Sequence, residues 1–157
     1  MYKRQVAPKR LAAAVAGAVA LGVCGFNVTI PHKEAIMAHL DEISPAARAI
    51  GAVNTVHVRD DRTVGYNTDG EGFLQPLHAL HVPLTTTTTC MLGAGGAARA
   101  VAMAVLEAGC PVLVLANRTY ERAARLVAVL QEYFPQAQVR AVPLAEAADV
   151  ALSLIHI

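Results

Sequence analysis

Tryptophan is absent from this 157-residue chain, and aromatic residues make up only 4% of it. A core without large rings has to be filled by Ala, Val, Leu and Ile. The chain is 55% hydrophobic, which suffices for one ordinary domain or two small ones. Excess charge is missing too. A net charge of +1 offers no handle for nucleic acid or an anionic surface. Cysteine is scarce: Cys24, Cys90 and Cys110 form an odd, widely spaced set with no CxxC pair. That argues against a disulfide framework or a zinc site, and a reducing, cytoplasmic compartment is the simpler expectation. His32, His39, His57, His78, His81 and His156 show no metal-ligand spacing, so no metal is expected.

A long apolar run is lacking as well. Residues 11–24, LAAAVAGAVALGVC, follow Lys3, Arg4, Lys9 and Arg10 and so imitate a signal peptide. The run is shorter than the roughly 20 residues a bilayer span needs, and it is rich in Ala and Gly. A helix packed on a sheet is the expected reading, with a membrane anchor as its rival. The sequons at Asn27 and Asn117 then carry no glycosylation meaning.

What is present alternates helix and strand signals. Residues 9–21 read as a helix stopped by Gly22 and Gly25, then Phe26 to Ile30 as a strand bounded by Pro31. Lys33 to Leu40 reads as a second helix, with Ile36, Met37 and Leu40 on one face. Ser44-Pro45 is a helix start and Gly51 its left-handed stop. Val53 to Val58 and Val64 to Tyr66 read as strands around an Asp60-Asp61 turn. Asp69 opens a helix that runs to Leu80 despite Gly70, Gly72 and Pro76. A threonine-rich connector leads to a strand at Cys90 to Leu92. A helix over 96–108 stops at Gly109, and the strand after Pro111 reads VLVLA, an apolar run of the parallel-sheet kind. Thr119 caps a helix from Tyr120 to Tyr133, Val139 to Val142 is a third strand, and Glu146 to Asp149 begins another unit. The second half is thus β-α-β-α-β, a doubly wound nucleotide-binding pattern. A domain boundary is placed near residue 83, giving units 1–83 and 84–157.

The glycine loop Gly93-Ala94-Gly95-Gly96-Ala97-Ala98 follows a strand and opens a helix, the context that raises such a motif above noise. Gly93 permits a tight turn, and Gly95 lets amides approach a pyrophosphate at the helix N-terminus. Ala98 stands where a third glycine is usual. After the second strand, where an acidic residue would bind the ribose hydroxyls of NAD, the chain has Asn117-Arg118-Thr119, with Arg122 one turn on. A guanidinium grips a 2′-phosphate in a fork and stacks on adenine, so NADP is expected over NAD. The plainer alternative is that Arg118 and Arg122 are solvated helix-start residues.

Upstream, Lys33 follows Pro31, and Asp69 follows a strand and turn. Reducing a ketone needs a proton donor at oxygen while hydride reaches carbon. Lys33 can supply that proton and Asp69 can orient it. Thr29 and Asn54 add neutral hydrogen bonds of the kind a polyhydroxylated ring demands. Singly, each of these residues is also what a solvated lysine, a helix cap or a turn would look like.

The chain resembles the shikimate dehydrogenase family over roughly residues 6–150. The resemblance rests on NVTIPHK (27–33), GAVNT (51–55), NTDG (67–70), GAGGAAR (93–99) and NRT (117–119). It implies an α/β fold, with a partial substrate-binding domain followed by a partial Rossmann-type domain. It implies Lys33 and Asp69 as the catalytic pair and Thr29 and Asn54 as shikimate ligands. Gly93, Ala94, Gly95, Gly96, Ala97, Asn117, Arg118, Thr119 and Arg122 become the NADP site. The implied reaction is the reversible, NADP-dependent reduction of 3-dehydroshikimate to shikimate in aromatic amino-acid biosynthesis, with a homodimer open to the full-length protein and neither nucleic acid nor membrane as partner. Two departures stand out. The family's leading strand and serine-containing loop do not precede residue 6, and the tail at 152–157 reads as a translated sequencing adapter. The chain is therefore expected to be an interior piece of such an enzyme, poorly soluble and with little or no activity by itself. A quinate or aminoshikimate dehydrogenase and a non-catalytic nucleotide-binding module are the competing readings.

Overall fold

A computed structural model describes residues 4–150 of the chain. The adapter-like tail lies outside the described residues. Two compact units divide between Thr68 and Asp69, where the sequence places its boundary near residue 83. The division falls earlier because the helix opened by Asp69 packs on a helix of the second unit.

The first unit begins with α1 (Leu11–Ala20), followed by β1 (Gly25–Asn27), β2 (Glu42–Ile43), α2 (Pro45–Ile50), β3 (Thr55–Arg59) and β4 (Arg62–Tyr66). Its strands form one sheet in the order β1-β3-β4-β2. Only the β2–β4 pairing is parallel. Asp60 and Asp61, with φ of 51° and 59°, make the two-residue hairpin turn between β3 and β4, where left-handed residues match the twist of the flanking strands. Leu11, Val15, Val28, Ile36, Ala47, Val53 and Val56 form the core. Ser44 caps α2 through its hydroxyl, which accepts from the Ala47 amide at 3.2 Å. Gly51 ends that helix at φ 71°, as the sequence predicts.

Three expectations for this unit change. The strand expected to reach Ile30 stops at Asn27. The Val28 amide donates to the Asn54 carbonyl at 2.7 Å, and the chain then turns, with the His32 amide donating to the Thr29 carbonyl at 2.9 Å. The expected Lys33–Leu40 helix is a 3-10 segment, Ala35–His39. It is cut short because the chain must become extended at Leu40 to place Asp41 against Thr63 and enter β2. The Asp41 amide donates to Thr63 Oγ1 at 3.0 Å, and Asp41 Oδ2 accepts from the Thr63 amide and hydroxyl, each at 2.7 Å. Strand β2 is an addition to the expected elements, since two residues are too few for an alternating pattern to register.

The second unit contains α3 (Asp69–Ala79), β5 (Thr88–Leu92), α4 (Gly96–Glu107), β6 (Val112–Asn117), α5 (Tyr120–Tyr133) and β7 (Gln138–Pro143). The sheet is parallel, in the order β5-β6-β7. Leu113, Val114, Leu115 and Ala116 are fully buried, which is why β6 reads as an unbroken apolar run. Helix α3 carries Gly70 against α4: a methyl group there would meet the Ala100 carbonyl oxygen at 2.7 Å and the Ala104 Cβ at 2.8 Å. Gly70 serves close helix packing.

Candidate functional site

In the first unit the motif residues meet along the seam between β3, β4 and the Thr29–Lys33 turn. The Val53 amide donates to the Lys33 carbonyl at 2.8 Å, which pins the backbone of the lysine to the entry of β3. The Asn54 amide donates to the Tyr66 carbonyl at 3.0 Å. Asn67 Nδ2 donates to the Ala52 carbonyl at 2.9 Å. Asn54 Oδ1 accepts from the Thr68 amide at 3.0 Å and from Thr55 Oγ1 at 2.8 Å. Asn54 Nδ2 donates to Thr68 Oγ1 at 3.1 Å. The segments holding Asn54-Thr55 and Asn67-Thr68 are thus knitted together by their own side chains. Thr29 is exposed and Lys33 half-buried. The reading from sequence treats Asn54 as a ligand only. It misses that Thr55, Asn67 and Thr68 are the braces around it, although the paired Asn-Thr dipeptides carried that signal. His32 is a second brace, with Nε2 2.7 Å from the Val6 carbonyl.

In the second unit the site sits at the carboxyl edge of the parallel sheet, where ligands bind in doubly wound folds. Gly93 leaves β5 at φ 113°, a conformation that disfavours any side chain. Its amide donates to the Ala116 carbonyl at 2.8 Å, which ties the glycine loop to the end of the neighbouring strand. Gly95 is the N-cap of α4. A methyl group built on Gly93 or Gly95 would meet nothing within 4 Å, so the cradle is open. The first amides of an α-helix have no partner within it and draw an anion, helped by the helix dipole. Asn117 closes β6, and its Nδ2 donates to the Thr119 carbonyl at 2.7 Å. Thr119 takes the N-cap position of α5, but its hydroxyl makes no capping bond. Its carbonyl accepts from the Arg122 amide at 3.1 Å, so Asn117 shapes the turn. Arg118 and Arg122 are exposed at the start of α5. Arg99 Nε, one turn into α4, is buried with no hydrogen-bond partner. An open glycine cradle at a helix start, beside two exposed guanidinium groups, fits the phosphates of a dinucleotide. These residues could hold NADP. Among the described residues no cluster of His, Cys, Asp or Glu could hold a metal ion, and no helix is long and apolar enough to cross a membrane.

Comparison with known proteins bears on both units. Residues 2–56 match the model of the shikimate dehydrogenase substrate binding domain, and residues 77–155 that of shikimate / quinate 5-dehydrogenase. A shikimate dehydrogenase (NADP(+)) of Moorella thermoacetica is 56% identical over 126 residues, covering 80% of this chain and 42% of that protein. The chain therefore spans less than half the length of that relative. The shikimate 5-dehydrogenase of Thermus thermophilus, solved with NADP(H) and shikimate, is 43% identical with a TM-score of 0.75, covering 90% of this chain and 50% of that one. The quinate dehydrogenase of Corynebacterium glutamicum, solved with NAD, is 33% identical with a TM-score of 0.80, covering 89% of this chain and 50% of that one.

Proposed function

We propose a function from one premise: the chain belongs to the shikimate / quinate 5-dehydrogenase family. The parent protein interconverts 3-dehydroshikimate and shikimate with NADP, in the cytoplasm, as a step of aromatic amino-acid biosynthesis. NADPH supplies a hydride to the ketone carbon. Lys33 delivers a proton to the ketone oxygen, and Asp69 orients Lys33 and the hydroxyl that forms. Thr29 and Asn54 bind the ring hydroxyls. Gly93, Ala94, Gly95, Gly96 and Ala97 cradle the pyrophosphate, while Asn117 and Thr119 shape the turn that presents Arg118 and Arg122 to the 2′-phosphate. The chain as given, at 157 residues, is expected to turn over little or no substrate.

The observation that carries this reading is the anchoring of Lys33 and Asn54 in one braced seam, in a chain whose second unit ends a parallel strand in an open glycine cradle. A second reading, quinate as substrate, is favoured by the likeness to the quinate dehydrogenase above. The test is an NADP-linked assay of the full-length parent gene with shikimate and with quinate, comparing wild type with Lys33→Ala. Shikimate-dependent NADPH formation, cut about 10²- to 10⁴-fold in kcat by Lys33→Ala, is the expected result. Quinate turnover alone would shift the substrate. No turnover from a soluble, NADP-binding protein would move the first unit to a non-catalytic role.

A further inference from the structure

The turn that leads into Lys33 has little packing to hold it. Thr29 and Pro31 are exposed, and Ile30 is 84% exposed. Hydrogen bonds gathered on His32 fix it instead. The His32 amide donates to the Thr29 carbonyl at 2.9 Å, and the His32 carbonyl accepts from the Ile36 amide at 2.9 Å. Both bonds are local and shape the turn without placing it. Its ends are tied to the entry of β3, through the Val28 amide to the Asn54 carbonyl at 2.7 Å and the Val53 amide to the Lys33 carbonyl at 2.8 Å. Between those ties, the His32 ring reaches a different part of the chain. Its Nε2 lies 2.7 Å from the carbonyl of Val6, 26 positions earlier, in the lead-in to α1. A carbonyl oxygen only accepts, so Nε2 carries the proton and the neutral ring is the Nε2–H tautomer. We infer that His32 is a positioning residue, whose ring N–H latches the Thr29–Lys33 turn to the Val6 carbonyl and so sets where Lys33 begins. The inference rests on the proposed function for what Lys33 does; the latch itself does not. Its consequence falls on kcat, because a proton donor displaced by about 1 Å is costly to transfer.

Two substitutions separate the ring's donor from its bulk. His32→Phe keeps a ring and removes the N–H, while His32→Gln returns an N–H donor without the ring. In the full-length parent protein, His32→Phe is expected to lower kcat with shikimate roughly three- to tenfold, with the KM for NADP unchanged. His32→Gln should recover kcat to within about twofold of wild type. An unchanged kcat in His32→Phe overturns the positioning role. Equal losses in both variants make the ring's bulk the cause and overturn it too. Two readouts need no turnover. Nitrogen NMR of the wild-type imidazole, with the ring neutral, should show Nε2 protonated and Nδ1 bare. The reverse tautomer overturns the latch, and this reading holds even where a variant fails to fold. Deuterium exchange at the Ile36 amide should be about three- to tenfold faster in His32→Phe than in wild type or His32→Gln. Equal exchange in wild type and His32→Phe means the latch is wrong whatever the substrate. If tautomer and exchange are as expected and shikimate is not turned over, the proposed function alone has failed.

Discussion

Asn54 in the first unit is fixed by bonds to the side chains and amide of Thr55 and Thr68. Gly93 in the second is fixed by its own φ of 113° and an amide bond to Ala116. The contrast extends through both units. The first uses short strands and a 3-10 segment, and side chains close the gaps between them. Asp41 with Thr63 and Asn67 with Ala52 do what longer ladders would otherwise do. The second uses long regular elements around β6, and its ligand cradle is made of backbone. In the first unit, then, side-chain identity shapes the candidate site. In the second, backbone conformation shapes the candidate cradle.

Filling one close-approach glycine from each unit, Gly65 and Gly70, tests this contrast most severely. At Gly70 a methyl group meets a backbone carbonyl at 2.7 Å, while at Gly65 it meets the side chains of Leu40 and Val53 at 2.7 and 2.8 Å. Side chains yield more easily than a helix backbone. Gly70→Ala should cost about 1–3 kcal/mol and Gly65→Ala less, measured by denaturant unfolding of the parent protein. The reverse order would break the contrast. Next in size is the cofactor site. Replacing Arg118 and Arg122 together by Ala should raise the KM for NADP about 10- to 100-fold and leave that for NAD nearly unchanged. A parallel loss with both cofactors would show that the arginines hold the fold or the common part of the cofactor.

Smaller effects sharpen the account of the first unit. Ser44→Ala removes the acceptor for the Ala47 amide and should cost ~1 kcal/mol. For Asp41, the Thr63 amide and hydroxyl hold the carboxyl below its ordinary value of 3.8. Its folded-state value is depressed, so its contribution is present above the ordinary value and is lost as pH falls through the folded one. Asp41→Asn should therefore lower stability at neutral pH only slightly, and should flatten its decline below about pH 4, read as melting temperature against pH. An identical acid slope in both proteins would mean that the Asp41–Thr63 bonds do not survive in solution.

Much of the second unit is legible in the sequence because its signals are periodic or positional. The VLVLA strand, the glycine loop between strand and helix, and the helix from Tyr120 to Tyr133 need no partner to be recognised. Capping by the Thr119 side chain is the exception: Asn117 shapes that turn instead, a choice made by local geometry rather than by residue preference. The first unit is less legible. The segment after Lys33 has the apolar spacing of a helix, yet the Asp41–Thr63 clasp, which links positions 22 apart, shortens it to a 3-10 turn. Gly70 reads as an obstacle to a helix until its packing on α4 explains it.

The sequence by itself determined the alternation of strands and helices, the glycine cradle and the motif residues from which the family is recognised. These depend on contacts within a few residues or on chemical identity. Tertiary structure decided where strands end, that Thr55, Asn67 and Thr68 brace Asn54, and which atom faces the Thr68 amide. Those outcomes depend on hydrogen bonds between positions far apart in the chain. Such partners are chosen by how the strands register, and no local preference encodes that.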